Sequence, residues 1–186
     1  MHTETLLVKP PVWALEQGPE ATGTVLTQAT LVRNLSDFHF VQRCTEEEKA
    51  AIEGRIVAAL DNLNLLAMGR YFSFPELDYK EMRFLAERRL VTLDLIAGRG
   101  PRGVFVAEDQ GVSVMINAAE HLVVRVVLPG LQPQEAWSRL NVIDDTLNGL
   151  LDFAYDDRLG YLTSVLAHVG TGLKASVIMH LPGLLY

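Results

Sequence analysis

The residues of this chain that could do chemistry are few and scattered. Lys174 follows Gly170-Thr171-Gly172, where the backbone N–H groups of a glycine turn and one ammonium could together hold a phosphate. On its own the turn is a weak signal, because most such turns merely reverse the chain. His121 opens a β-prone run in which Val123 and Arg125 fall on the same face by the period of two, so Arg125 could line a cleft or pair with a carboxylate. A histidine entering a strand is more often a satisfied structural residue than a functional one. His39, His168 and His180 show no metal-ligand spacing, which argues against zinc. Cys44 has no base near it in sequence and gives no support to nucleophilic catalysis. Asp144-Asp145 lie inside a helical stretch and read as solvated or tied to a loop. Glu46-Glu47-Glu48 read as an acidic first helical turn, favoured by the helix dipole.

The elements that must position these residues are more legible. At 186 residues, 49% hydrophobic and 21% charged, the chain reads as one globular domain with a real core. Its net charge of −7 disfavours nucleic acid and anionic membranes, both of which need a basic face. One cysteine excludes an internal disulfide, and with no long apolar run and no signal-peptide pattern the reading is a cytoplasmic protein. Residues 1–22, with Pro10-Pro11, Gly18 and Pro19, form an irregular N-terminal arm; residues 23–186 form the domain. A strand is expected from Thr24 to Leu31. Thr45 and Glu48 make a capping-box pattern ahead of a helix with Ile52, Ile56, Ala59, Leu60 and Leu63 on its buried stripe. Pro75 is expected to open a shorter helix with Met82, Leu85 and Arg89 on one face.

Three β-rich runs follow, Val104–Ala107, Val112–Ile116 and His121–Leu128, joined by short polar turns that predict an antiparallel meander. Pro133 suits a helix start, and Trp137, Leu140, Ile143, Leu147, Leu150 and Leu151 give that helix an apolar face. Gly160 to Leu181 reads as a β-like run, the glycine turn and another β-like run. The whole is α+β, an antiparallel β-sheet with helices packed on one face.

Several separated segments together resemble the catalytic domain of the bacterial protein-arginine kinases, within the phosphagen-kinase (ATP:guanido phosphotransferase) family. They are Gly160-Tyr161-Leu162-Thr163-Ser164, Gly170 to Val177, His180-Leu181-Pro182, Val112 to Asn117, Glu120-His121-Leu122, Pro129-Gly130, Asp144-Asp145, Val25-Leu26-Thr27 and Arg33-Asn34-Leu35. They cover about residues 15–186 in the family's order and spacing. The resemblance implies a phosphagen-kinase (glutamine-synthetase-like) catalytic fold and phosphoryl transfer from ATP, with Mg²⁺, to a guanidinium nitrogen. Such transfer rests on positioning and electrostatics: arginines and Mg²⁺ on the phosphates, carboxylates on the guanidinium.

The same resemblance shows what has changed. Two phosphate-binding arginines of the family's first strand fall here on neutral residues near Ala29 and Thr30, and Arg33 matches a third, more structural arginine. The acidic loop reads Asn117-Ala118-Ala119-Glu120-His121, with alanine at both glutamate positions and Glu120 the only carboxylate left. Val123 and Val165 stand where the family has an arginine and a reactive cysteine. Lys174 replaces an arginine, keeping charge but losing the bidentate fork. Tyr186 falls before the family segment that brings a further arginine and the substrate-side loop, so the resemblance covers a truncated domain.

Each lost electrostatic contact typically costs about 10²–10³ in rate. The expectation is therefore a pseudokinase with no cofactor and no catalytic residue. Its role would be binding a protein partner, or a second copy that covers an open sheet edge. The rival is a phosphotransferase using ATP and Mg²⁺, with Glu120 as the catalytic carboxylate and Arg33, Arg125 and Lys174 as residual nucleotide-binding groups.

Overall fold

A computed structural model describes residues 3–15, 17–62 and 68–185; Leu63 and Tyr186 lie outside them. The arm contains two single-turn helices, α1 (Glu4–Leu7) and α2 (Val12–Leu15). The domain then runs β1 (Thr24–Arg33), α3 (Glu46–Asn62), β2 (Gly69–Ser73), α4 (Tyr79–Glu87), α5 (Leu93–Ala97), β3 (Gly103–Ala107), β4 (Val112–Ile116) and β5 (Leu122–Pro129). It closes with α6 (Pro133–Asn148), the two-residue strands β6 (Tyr155–Asp156) and β7 (Gly160–Tyr161), and β8 (Leu173–Met179). Six strands form one antiparallel sheet in the order β2-β3-β4-β5-β1-β8, and β6 pairs with β7 separately. The α+β class and the meander β3-β4-β5 stand as expected, but the helices, expected on one face of the sheet, cover both, because each face carries apolar side chains that must be buried.

Local signals explain most boundaries. The Thr45 hydroxyl accepts from Glu48 N, while the Glu48 carboxylate accepts from Thr45 N, closing the expected capping box of α3. The α3 stripe is buried at Ile52, Ile56, Ala59 and Leu60. Pro75 does not open a helix; it sits in a 3₁₀ turn, Phe74–Glu76. The cap of α4 is Asp78, whose carboxylate accepts from Glu81 N at 2.8 Å. Arg89 lies past the end of α4 with φ of +62°, so it does not share a helical face with Met82 and Leu85. Strand β2 has no strong sequence signal, since only Phe72 of its five residues is buried. Of the final unit, the first β-like run gives only β7 and a 3₁₀ turn at Leu166–His168.

Two cores flank the sheet. On one face α3 and α6 pack over Ala29, Leu31, Phe105, Ile116, Val124 and Val126. On the other, α4, α5 and Leu6 of the arm cover Phe72, Val104, Met115 and Val123. Complete burial of each of these side chains larger than alanine stabilises the fold by about 1.5–3 kcal/mol. The expected α6 face holds at Leu140 and Leu147, but Trp137 and Leu150 are 42% and 48% exposed. Trp137 lies off the stripe that meets the sheet, and Leu150 follows the helix end. The arm is docked firmly: Arg88 Nη1 donates to the carbonyls of Leu6 and Lys9 and to Gln110, and Thr3 N donates to Glu81.

Candidate functional site

Strand register decides which residues share the candidate site. Thr30 pairs with Arg125 of β5 on one side and with Lys174 of β8 on the other. Arg125 pairs in turn with Ser113 of β4, so Ser113, Arg125, Thr30 and Lys174 form one row across four strands on one face. The next rows place Gln28 beside Ser176 and Val127, and Val32 beside Val123. Alternation sends Ala29 to the opposite face, where it is 2% exposed in the core. The neutral residues on the candidate phosphate face are therefore Gln28 and Thr30, not Ala29 and Thr30.

The four residues singled out for chemistry do not converge. Lys174 is exposed on this face. Arg125 is buried, and its Nη1 donates to the carbonyls of Arg89 (2.9 Å) and Val91 (3.3 Å) in the loop between α4 and α5. Its Nε has no partner among the described residues. Burial, and then the charge of Arg89, lower its pKa to about 10. Arg125 shares the face of Thr30 and Lys174, but its guanidinium is already engaged in holding that loop.

Arg33 points to the opposite face. Its Nη2 donates to Asp144 of α6 at 2.6 Å, and its Nη1 donates to the carbonyls of Val32 and Thr171. The guanidinium also stacks on Tyr161 at 3.5 Å. Asp144 is thus buried and ion-paired, contrary to the solvated reading; Asp145 is exposed and accepts from Asn141. The Arg33 contacts pin the glycine turn that presents Lys174. Gly172 has φ of +66°, and a Cβ there would lie 2.6 Å from Val32 O, so only glycine fits so tight an approach.

Glu120 is fully buried and saturated with donors. It accepts from Asn34 Nδ2 (2.7 Å), Ser164 N (2.9 Å), Ser164 Oγ (2.8 Å) and Val165 N (3.3 Å). This carboxylate ties β1 to the segment after β7. His121 is equally enclosed: Leu35 N donates to Nδ1, which leaves Nε2–H to donate to the His39 carbonyl. Burial pushes its pKa below the usual histidine value, against the His39 carbonyl and nearby Glu120. The Cys44 thiol lies 3.8 Å from His121 Nε2, but burial raises its pKa and disfavours the thiolate. Sequence reasoning missed Asn34 and Ser164 as partners of Glu120; their polar character inside a β-rich stretch was the available signal. No group of three His, Cys, Asp or Glu among the described residues could hold a metal ion. A cavity of about 430 Å³ lies away from this face, between the arm and β2, lined in part by Leu6, Lys9, Arg70 and Val106.

The six-stranded antiparallel sheet, with helices on it and a glycine turn leading into β8, is the fold of a phosphagen-kinase catalytic domain. Solved structures agree. A lombricine kinase matches with a TM-score of 0.76 at 20% identity, over 93% of this chain and 53% of that one. The duplicated taurocyamine kinase of Schistosoma mansoni with bound transition state analog components matches with a TM-score of 0.79 at 26% identity, over 88% of this chain and 24% of that one.

The model of the ATP:guanido phosphotransferase C-terminal catalytic domain matches residues 51–186, and the chain belongs to that family. Its curated relatives include the protein-arginine kinases of Pelotomaculum thermopropionicum and Moorella thermoacetica, each 35% identical over 175 residues and 92% of this chain. The chain spans about half the length of these relatives, 49% and 50%. No helix among the described residues is long and apolar enough to cross a membrane.

Proposed function

We propose that this is a catalytically degenerate protein-arginine-kinase domain, which acts in the cytoplasm by binding a protein partner in a regulatory role. The observation that carries the reading is the row of neutral side chains on the phosphate face. Gln28, Thr30 and Val123 stand where the resemblance calls for arginines, and Lys174 is the exposed cation beside them. Each preorganised contact of that kind is typically worth about 10²–10³ in rate. The buried, fully hydrogen-bonded Glu120 is poorly placed to exchange a proton with a substrate.

A second reading is favoured by the 35% identity to proteins named protein-arginine kinase. In it the domain transfers phosphate from ATP to arginine, with Lys174 and Arg125 flanking the phosphates across Thr30 and Glu120 as the carboxylate. Mg²⁺ would neutralise phosphate charge in such a complex. The residues present fit the polyanion poorly, since one cation is exposed and the other already serves two carbonyls.

Calorimetric titration with Mg-ATP, with ADP as control, separates the two. The first reading expects no saturable heat at millimolar nucleotide. Micromolar binding that Lys174→Ala abolishes, followed by a positive arginine-phosphorylation assay, would establish the second.

A further inference from the structure

The loop between α4 and α5 is gripped from two sides. On one side stands the arm. Arg88 Nη1 donates to the carbonyls of Leu6 (2.7 Å) and Lys9 (2.8 Å) and to Gln110 Oε1 (2.6 Å). Gln110 Nε2 donates to the same two carbonyls at 3.2 and 2.8 Å, so each is held twice. Leu6 is 6% exposed and belongs to one apolar cluster with Leu85, Leu90 and Val91. On the other side stands β5, whose Arg125 donates to the carbonyls of Arg89 and Val91.

The two grips fall on neighbouring residues of a tight turn. Arg89 N donates to Ala86 O and Leu90 N to Leu85 O, with Arg89 at φ of +62°, a left-handed helix end that glycine usually supplies. Arg88 holds the arm with its side chain, and Arg89 meets Arg125 with its carbonyl. A movement of about 1 Å at this turn lengthens both sets of contacts past hydrogen-bonding distance.

The arm is built to come away more easily than the elements beneath it. Its helices are single turns, which have little stability of their own. Its Lys9–Glu108 ion pair is exposed, at 64% and 77%, and so adds little. Segments held in this way open before the global fold does.

We propose that the arm is a strap that controls Arg125. Docked, it fixes the α4–α5 loop on the Arg125 guanidinium; undocked, it lets the loop move and frees that guanidinium to the face of Thr30 and Lys174. The structure shows the docked state, with Arg125 8% exposed and Lys174 the exposed cation of the row. Release adds a second cation beside Thr30, so the strap sets how much positive charge this face offers an anion. Such a strap works alike in a binding protein and in a phosphotransferase. The coupling is reciprocal, so loss of the Arg125 side chain must also loosen the arm.

Phenylglyoxal labelling mapped by peptide mass spectrometry reads the accessibility of Arg125, and hydrogen exchange of residues 3–12 reads the arm. Leu6→Ser removes the buried anchor. Gln110→Asn shortens one grip at a position with φ of +57°, which asparagine tolerates. Either variant should speed exchange in the arm and raise labelling of Arg125 about tenfold, within the usual range of such coupling, with labelling of the exposed Arg158 unchanged. Arg125→Met should speed exchange in the arm by a similar factor. Fast exchange in the arm of either variant while Arg125 stays protected overturns the proposal. An arm that exchanges in Arg125→Met as it does in the wild type also overturns it, and decides the matter even if Leu6→Ser fails to fold.

Discussion

Asp144→Ala would test the buried ion pair that joins α6 to the end of β1. Arg33 and Asp144 are 111 residues apart, and their side chains are only 4% and 10% exposed. Removing the carboxylate leaves the guanidinium buried on two carbonyls and the Tyr161 ring, with no counter-charge in the contacts it makes. Breaking a buried pair from one side typically costs about 3–5 kcal/mol. The lower end applies here, because Asp144 Oδ1 and Arg33 Nε have no partners among the described residues and the pair is not bidentate.

With a urea slope of about 2 kcal/mol/M, a loss of about 3 kcal/mol moves the midpoint down by about 1.5 M. Urea titration followed by tryptophan fluorescence reads this, since Trp137 lies on the same helix as Asp144. The double variant Arg33→Met/Asp144→Leu, which removes both charges, should recover more than half of the loss. A single-variant cost below about 1 kcal/mol, or a double variant no better than the single, would refute the argument that an uncompensated charge is the cause.

Glu120→Gln replaces an acceptor with an NH₂ group facing donors from Asn34, Ser164 and Val165, and should cost about 2 kcal/mol. Calorimetry should show Tm lower by about 4–8 °C; an unchanged Tm would mean that the carboxylate is not structural. His121 should make stability depend on pH. Its pKa is depressed by burial, so below about 6.5 the unfolded chain binds more protons than the native one. Its stabilising contribution is full above that pH and is lost as pH falls. Urea midpoints should decline from about pH 7.5 to 5.5, and less steeply in His121→Gln; parallel profiles for the two proteins would contradict this.

The parts legible in the sequence are those whose causes lie within a few residues. The Thr45–Glu48 capping box, the turn joining β3 to β4 and the Pro133 start of α6 are each decided locally, and each stands where it was expected. Pro75 misled because proline suits a 3₁₀ turn as well as a helix start, and the stronger Asp78–Glu81 box lay three residues on. Strand β2 was illegible because its pairing with β3, more than any periodicity of its own, makes it a strand.

For the candidate site, the sequence by itself determined the inventory: one lysine after a glycine turn, one carboxylate before a histidine, neutral residues where arginines were expected. Only the tertiary structure decided what those residues do. Register put Gln28 and Thr30 on the face of Lys174 and turned Ala29 into the core. Packing buried Asp144 against Arg33 and closed Glu120 under Ser164, because a carboxylate taken out of water must find donors, and here they come from segments distant in sequence.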